Sequence, residues 1–315
     1  MPGPPQWTAA ISVAEPASRR ACPDELRSPL DADLLIGFFD ASGRDLPWRR
    51  PTASPWAVLV SEVMLQQTPV VRVLPVFDDW MQRWPQPSDL AADSPADAIR
   101  AWGRLGYPRR AMRLHAAATA ITTEHEGVVP DSVDILLRLP GIGEYTARAV
   151  AAFAFGARTP VVDTNVRRVL SRVVRGVDEP REPATATDRA EMATLLPAEP
   201  ARAARFSAAV MELGALVCTA RSPSCGVCPL ADRCRWRLAG AVPGQARRAV
   251  QGWHGTDRQV RGRIMAALRA SHTPVPGISL VDVSADPEQA LRALTSLLAD
   301  GLAVRVGADH VGLPN

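Results

Sequence analysis

The segment LPGIGEYTARAV, residues 139–150, decides the fold class of this chain. A Leu-Pro pair ends one helix, and Gly141 and Gly143 let the backbone turn tightly. The next helix is predicted to begin at Tyr145 or Thr146. Free N–H groups at its start form an anion site that suits a DNA phosphate. Because many helical hairpins contain such a turn, the segment does not identify a function by itself.

Apolar residues recur at helical spacing on both sides of this hairpin. The segments with this periodicity are LDADLLIGFFDAS, WAVLVSEVMLQQT, VVRVLPVFDDWMQRW, SPADAIRAW, RRAMRLHAAATAITTEH, SVDILLRL, TARAVAAFAF, NVRRVLSRVV and RAARFSAAVMELGALV. Short breaks of Gly, Pro and Asp separate them, and no alternating pattern typical of a strand occurs before residue 240. The sequence therefore predicts an all-helical region from about Leu30 to Trp236.

A small module is predicted at the C-terminal end. Two helical segments, TDRQVRGRIMAALRAS and DPEQALRALTSLLADG, precede LAVRVGADHVGLP, which predicts a two-stranded hairpin turning at Gly307–Asp309. This order indicates a small α/β winged-helix-like module over 253–315, and the segment 237–252 is expected to be a linker. Residues 1–28, rich in Pro, Ala and Ser, are expected to be a disordered N-terminal tail.

The composition of the 315 residues narrows the possible functions. The net charge is only +3, so no polybasic tail points to nucleic acid. The chain has no run of about 18 apolar residues, so no membrane-spanning helix is predicted, and no secretory signal is expected. All 36 basic residues are arginine. Because the chain contains no lysine, chemistry that needs a lysine amine is excluded.

Four of the five cysteines fall in one short segment with the spacing C-x6-C-x2-C-x5-C. These four are Cys218, Cys225, Cys228 and Cys234. Thiolates grouped so tightly suit a metal site, either zinc or a 4Fe–4S cluster, better than a disulfide framework. Zinc ribbons usually have two C-x-x-C pairs, and only Cys225 and Cys228 form one here, so the spacing favours one 4Fe–4S cluster. Arginines in and beside this cysteine segment could bind phosphate groups or form a solvated surface.

Four further motifs occur in a characteristic order, at 46–49 (LPWR), 61–70 (SEVMLQQTPV), 101–107 (AWGRLGY) and 161–170 (VVDTNVRRVL). Together with the hairpin and the cysteines, they make this chain resemble the MutY-type adenine glycosylases of the helix–hairpin–helix (endonuclease III) superfamily, in an actinobacterial-like form with a short C-terminal domain. The resemblance implies a mainly α helix–hairpin–helix DNA glycosylase fold. Its helical barrel domain and iron–sulfur helical domain would together occupy residues 29–236.

The resemblance also implies an activity. It implies a monofunctional base-excision repair enzyme that flips adenine out of mispairs with 8-oxoguanine or guanine and leaves an abasic site. Double-stranded DNA carrying such a mispair is the expected partner. No membrane partner is expected, and the protein is expected to be a monomer in the bacterial cytoplasm, associated with the nucleoid.

Two carboxylates have environments that suit this chemistry, which needs one acid and one ionised carboxylate. Glu62 lies in an apolar helical segment, which should raise its pKa. Asp163 stands at a predicted helix N-cap, which should favour its ionised form. The resemblance assigns Glu62 as the general acid and Asp163 as the group that stabilises positive charge. Taken alone, Glu62 could be an exposed helix residue and Asp163 an ordinary N-cap.

Tyr145 stands where bifunctional relatives carry a lysine that attacks the sugar. Because the chain has no lysine, water must be the final nucleophile. By resemblance, Tyr145 and Asn165 help to position the reacting sugar, and Arg49 and Trp48 belong to the adenine pocket.

Two segments are expected to contact the DNA around the flipped base. By resemblance, Gln66, Gln67 and Thr68 in one segment, and Leu105 and Tyr107 in the other, form a wedge that fills the gap. Taken alone, the Gln-Gln pair is a polar helix face. Phosphate contacts are also expected from the crowded group Arg104, Arg109, Arg110 and Arg113, whereas each of these arginines taken alone is a solvent-exposed residue.

Two other functions remain open from the sequence. One is a thymine or uracil mismatch glycosylase on the same fold, against which the SEVMLQQT motif argues. The other is a non-catalytic DNA-binding regulator, which would have no use for Glu62, Tyr145 and Asp163. Better-studied members of the family read 8-oxoguanine with a Nudix-like C-terminal domain, and 253–315 is too short for that fold.

Overall fold

The computed structural model of this chain describes residues 28–180, 186–242 and 254–315. Within these parts the helices are α1 (Ala32–Ser42), α2 (Pro55–Leu65), α3 (Val70–Arg83), α4 (Pro87–Ala92), α5 (Pro95–Trp102), α6 (Arg109–Glu124), α7 (Val133–Leu136), α8 (Glu144–Phe155), α9 (Thr164–Val169), α10 (Ala186–Leu195), α11 (Pro200–Leu216), α12 (Arg235–Leu238), α13 (Asp257–Ala270), α14 (Gly277–Val281) and α15 (Pro287–Ala299). The strands are β1 (Val275–Pro276), β2 (Val304–Val306) and β3 (His310–Gly312). The predicted tail up to residue 27, with Cys22, and most of the predicted linker lie outside the described residues.

The prediction of a mainly α chain with a small C-terminal sheet is confirmed. The helices that the sequence did not predict include α4, α12 and α14, which are six residues or shorter. Such short helices show less than two turns of periodicity, which is too little to recognise. α9 continues into a π-helical turn at Leu170–Arg175.

Helix α2 belongs to the first of the two larger hydrophobic cores of the described residues. The Ser54 hydroxyl caps its start by accepting from the Ala57 N–H at 3.1 Å, and Pro55 occupies its first turn. Residues 56–64 are all buried, because α2 packs against α3, α6 and α8. A glutamate on this helix therefore lies inside the protein whichever way it points.

The first core contains residues of helices α2 to α8 and of α13 to α15. The second core packs helix α1 together with helices α9, α10, α11 and α12. The chain crosses between them after α8, which ends at Gly156 in the left-handed conformation (φ 68°). A cleft of about 1040 Å³ opens between the two cores, and it is lined from both sides. This two-lobed arrangement places residues from α2, α8, α9 and α11 around one volume.

The C-terminal module has the order α13, β1, α14, α15, β2, β3. Its three strands form an antiparallel sheet in the order β1–β3–β2, in which Val311 pairs with both Val275 and Arg305. The hairpin between β2 and β3 turns where it was predicted. The short β1 and α14 were not predicted, and they complete the order of a winged helix. None of the helices in the described parts is long and apolar enough to span a membrane.

Candidate active site

Glu62 faces the cleft from α2 and is buried. Burial raises the pKa of this carboxyl, a hydrogen bond from Tyr145 lowers it and the nearby charge of Asp163 raises it, and the net result is a pKa of about 7. The predicted rise in the pKa of Glu62 is thus confirmed. A carboxyl with this pKa is present in both protonation states near neutral pH and can give up a proton there.

Asp163 caps α9 and also faces the cleft. Its carboxylate accepts from the Val166 N–H at 2.7 Å and from Nδ2 of Asn165 at 2.8 Å. The sequence predicted that this cap would favour the ionised form, but burial raises the pKa of Asp163 and outweighs the hydrogen bonds. Both carboxyls are therefore shifted upwards. Asp163 accepts more hydrogen bonds than Glu62, so the arrangement favours the proton on Glu62.

Tyr145 lies in the first turn of α8, immediately after the hairpin, and lines the same cleft. Burial and the neighbouring carboxyl of Glu62 hold the pKa of its hydroxyl well above its usual value. Tyr145 is therefore a neutral hydrogen-bond donor to Glu62. The structure brings Glu62, Tyr145, Asp163 and Asn165 together in one cleft, as the sequence predicted.

The hairpin before α8 depends on glycine at one position. Gly141 has φ 77°, and a Cβ atom there would lie 2.5 Å from Cβ of Arg113. Gly143 is the N-cap of α8 and is exposed. The N–H groups of the first turn of α8 are thus open on the side of the hairpin.

Arg49 lines the cleft beside Trp48, and its partner was not predicted from the sequence. Glu212 of α11 is fully buried and accepts from Arg49 Nη2 at 2.9 Å and from Arg44 Nε at 2.7 Å. Burial alone would raise the pKa of Glu212, but the hydrogen bonds from Arg44 and Arg49 lower it to about 2. Glu212 shares the signal that marked Glu62, an acidic residue within an apolar helix, and could have been found in the same way.

The Nη1 atom of Arg49 is buried and has no hydrogen-bond partner in the part of the chain that the structure describes. An unsatisfied buried donor is costly, so such a group at the edge of a cleft indicates a place where a ligand supplies the acceptor. Trp48 is held nearby by an edge-to-face contact with Phe77 at 5.0 Å between ring centroids.

The two predicted wedge segments lie side by side as two turns. Gln67 and Tyr107 are exposed and stand at their tips, with φ 55° and 48°. Such values are rare for residues other than glycine and cluster at functional sites. Thr68 and Leu105 are buried and joined, because the Thr68 hydroxyl donates to the Leu105 carbonyl at 3.3 Å.

Arg110 was expected to meet phosphates, and the structure corrects this prediction. Its side chain is buried and donates to the Val63 carbonyl at 2.9 Å, to Thr68 Oγ1 at 3.0 Å and to the Gly106 carbonyl at 3.1 Å. Burial lowers its pKa to about 10, so it stays charged at neutral pH. Arg110 ties the end of α2 to the turn that carries Tyr107.

The four cysteines of the segment surround one cavity, whose walls include Val173, Leu213 and Trp236. All four are free thiols. Among the described residues, no three His, Cys, Asp or Glu side chains are placed to hold a single metal ion. Four cysteine thiols lining one cavity are the ligand set that a 4Fe–4S cluster takes. Nη1 of Arg172 lies 3.4 Å from Sγ of Cys218 and would stabilise a thiolate.

Comparisons with known proteins agree with this geometry. Residues 60–193 match the family described as HhH-GPD superfamily base excision DNA repair protein. Residues 218–234 match the iron-sulfur binding domain of endonuclease III, so the cysteine segment holds one iron–sulfur cluster.

Several curated proteins are similar over most of their length. An adenine DNA glycosylase of Mycolicibacterium smegmatis is 57% identical over 269 residues, which are 85% of this chain and 90% of that protein. An adenine DNA glycosylase of Mycobacterium tuberculosis (strain H37Rv) is 55% identical, over 89% of this chain and 92% of that protein. A thymine/uracil-DNA glycosylase of Pyrobaculum aerophilum is 35% identical, over 64% of this chain and 88% of that protein.

Solved structures share the fold. A thermostable thymine-DNA glycosylase superposes with a TM-score of 0.60 at 27% identity, over 66% of this chain and 95% of that one. An endonuclease III in a non-covalent DNA complex superposes with a TM-score of 0.56 at 23% identity, over 67% of this chain and 94% of that one.

Proposed function

This chain belongs to the adenine DNA glycosylase family of base-excision repair, and we propose that it hydrolyses adenine out of mispairs with 8-oxoguanine or guanine. The observation that supports the proposal best is the pairing of Glu62 and Asp163 in one cleft, with the pKa of Glu62 raised to about 7. One carboxyl can then hold a proton while its neighbour is ionised, which is what cleavage of an N-glycosidic bond requires.

In the proposed reaction, Glu62 donates its proton to N7 of the flipped adenine. The C1′–N9 bond then breaks and its electron pair leaves with the base, so positive charge develops on the sugar. The Asp163 carboxylate stabilises this charge. Water attacks C1′, its proton passes to the Glu62 carboxylate, and an abasic site remains.

Asn165 and Tyr145 hold the two carboxyls in place. Nδ2 of Asn165 donates to Asp163 at 2.8 Å, and the Tyr145 hydroxyl donates to Glu62. Tyr145 offers no amine, and the chain has no lysine that could form a Schiff base with the sugar. The reaction is therefore monofunctional.

Arg49 and Trp48 form the adenine pocket in this proposal, and Glu212 fixes the orientation of Arg49. The two terminal nitrogens of the guanidinium have different roles: Nη2 donates to Glu212, whereas Nη1 has no hydrogen-bond partner among the described residues. A ring nitrogen of adenine is an acceptor that would satisfy it. Glu212 thus acts on the base through Arg49.

The exposed and the buried residues of the two wedge segments have different roles. Gln67 and Tyr107 are exposed and enter the gap left by the flipped base, with Gln66 beside them, whereas Thr68 and Leu105 hold the two turns together. The amide of Gln67 can meet the base edge opposite the gap, and so contributes to the choice of 8-oxoguanine.

Other contacts with duplex DNA come from the hairpin and the cluster loop. The first turn of α8, with Gly141 and Gly143, binds a phosphate through its N–H groups. The four cysteines hold the cluster, which, when bound, fixes the shape of the loop at 218–234.

We further propose that the chain has two domains, at 29–236 and 253–315, and that it acts on DNA in the cytoplasm as a monomer.

A release assay tests the proposal. Single-turnover base release is measured on duplexes with adenine opposite 8-oxoguanine, guanine and cytosine, and with thymine or uracil opposite guanine. We expect release of adenine opposite 8-oxoguanine and guanine. Faster release of thymine or uracil would favour the mismatch activity named for the Pyrobaculum protein.

A further inference from the structure

The C-terminal module packs against the part of the glycosylase region that carries Tyr107. Apolar residues of α13 and α15 belong to the same core as those of α2 to α8. Nη2 of Arg100, at the end of α5, donates to the carbonyl of Ser271 at 3.2 Å. A Cβ atom on Gly301 would lie 3.6 Å from the Met112 side chain of α6. The module therefore contacts both helices that flank the Tyr107 turn.

An ion-pair bridge fixes the module beside this turn. Asp300, which follows α15, pairs with Arg109, the first residue of α6 and only two residues beyond Tyr107. The same carboxylate pairs with Arg261 of α13 at 2.6 Å. The Asp300 carboxylate thus links α13 and the end of α15 to the first residue of α6, immediately after the Tyr107 turn.

The ring of Tyr107 contacts two arginines from different parts of the chain. Arg110 of α6 places its guanidinium carbon 5.6 Å from the ring centroid, and Arg258 of α13 places its own at 5.5 Å. Both distances are within the range of a cation–π contact. Tyr107 is 48% exposed, so packing covers only about half of its surface.

We propose that Arg258 is a positioning residue for Tyr107, so that the C-terminal module takes part in base flipping and in reading the opposite base. The inference rests on the proposed function of Tyr107 as a wedge. A side chain held in its working orientation before DNA binds loses less conformational entropy when it inserts. Arg110 orients the ring from the glycosylase side, and Arg258 orients it from the module.

The test uses variants of the full chain, because the apolar residues of the module belong to the shared core. The variants are R258A, R258K, Y107A, the double variant R258A/Y107A, and R263A as the matched control. Arg263 lies on the same helix as Arg258 and donates to the Val283 carbonyl within the module. Thermal unfolding of each variant is recorded alongside the kinetics.

Single-turnover adenine release is measured against enzyme concentration for duplexes with 8-oxoguanine or guanine opposite adenine. R258A should lower the maximal rate about two- to fivefold, as expected from an exposed cation–π contact, and leave the half-saturating concentration unchanged. R258K should restore part of the rate, and R263A should match the unaltered protein. In the Y107A background, R258A should have no further effect, because Arg258 acts through the ring.

Other outcomes overturn the inference. If R258A instead raises the half-saturating concentration, weakens the salt dependence of binding and adds fully to Y107A, Arg258 contacts a DNA phosphate directly. If Y107A slows release and R258A does not, only the inference fails. If Y107A itself has no effect, the proposed wedge fails and the inference fails with it.

Discussion

Arg168 donates from Nη2 to Oδ1 of Asn165 at 2.7 Å, and this hydrogen bond connects the cluster loop to the reacting centre. Nε of the same guanidinium donates to the carbonyl of Cys218 at 2.6 Å, and Asn165 in turn donates to Asp163. Gly214 allows this close approach, since a Cβ atom there would lie 2.8 Å from Cβ of Asn165. Arg168 therefore contacts both the backbone of a cluster cysteine and the asparagine that binds the reacting carboxylate.

Replacing Arg168 with Gln should slow adenine release about tenfold or more while the protein keeps its iron. A hydrogen bond from a charged donor contributes roughly 1.5–3 kcal/mol, and its loss frees Asn165 to move away from Asp163. The measurement is single-turnover release together with iron content. R202Q, which removes an exposed arginine paired with Asp33, is the control. Full activity of the R168Q protein would show that Arg168 does not couple the cluster loop to the reacting centre.

The rate of adenine release should follow the ionisation of Glu62. The acid form is the active one, so above its pKa of about 7 the rate should fall about tenfold for each pH unit. At low pH the rate should fall again as Asp163 is protonated, at a pH above that of an ordinary aspartate, because burial raises its pKa. Single-turnover rates across this range, with DNA binding measured in parallel, provide the check. A profile that is flat above pH 7 contradicts the role of Glu62.

Removing either carboxyl should slow adenine release without weakening the binding of duplex DNA. E62Q cannot donate the proton, and D163N cannot stabilise the positive charge of the sugar, so each should lose at least about a hundredfold in rate. Duplex binding should stay nearly unchanged in both variants, since neither group carries the phosphate contacts. Substantial turnover by E62Q would remove Glu62 from the mechanism.

Glu212→Gln should weaken adenine recognition and lower the unfolding temperature. The amide keeps the shape of the side chain but leaves the guanidinium groups of Arg44 and Arg49 without their buried counter-charge. We expect the loss of rate to be larger for adenine than for whichever of 1-deazaadenine and 3-deazaadenine lacks the ring nitrogen that Arg49 binds, because that analogue has already lost the acceptor. An equal loss on both bases would mean that Glu212 is needed only for folding.

Borohydride added during turnover should trap little or no covalent enzyme–DNA adduct, and strand scission should require added alkali. Tyr145 stands at the hairpin, and the chain has no lysine to form a Schiff base. A bifunctional endonuclease III is the positive control for trapping. Efficient trapping and spontaneous nicking by this protein would contradict the monofunctional reaction.

Sequence alone determined much of the fold and the identities of the central groups. The apolar periodicity around Glu62 predicted its burial, and the position of Asp163 before TNVRRVL predicted its N-cap. The cysteine spacing predicted the cluster. These features are local, because helical burial, capping and metal-ligand spacing each depend on residues that are close together in the sequence.

Tertiary structure alone decided which charged groups meet across the chain. Arg110 looked like a phosphate contact and is instead buried between two turns, and Arg258 reaches Tyr107 over a separation of 151 residues. Asp163 has a raised pKa because the packing around it outweighs its cap. Burial and charge pairing depend on elements that are distant in sequence but adjacent in space, and no local pattern records those distances.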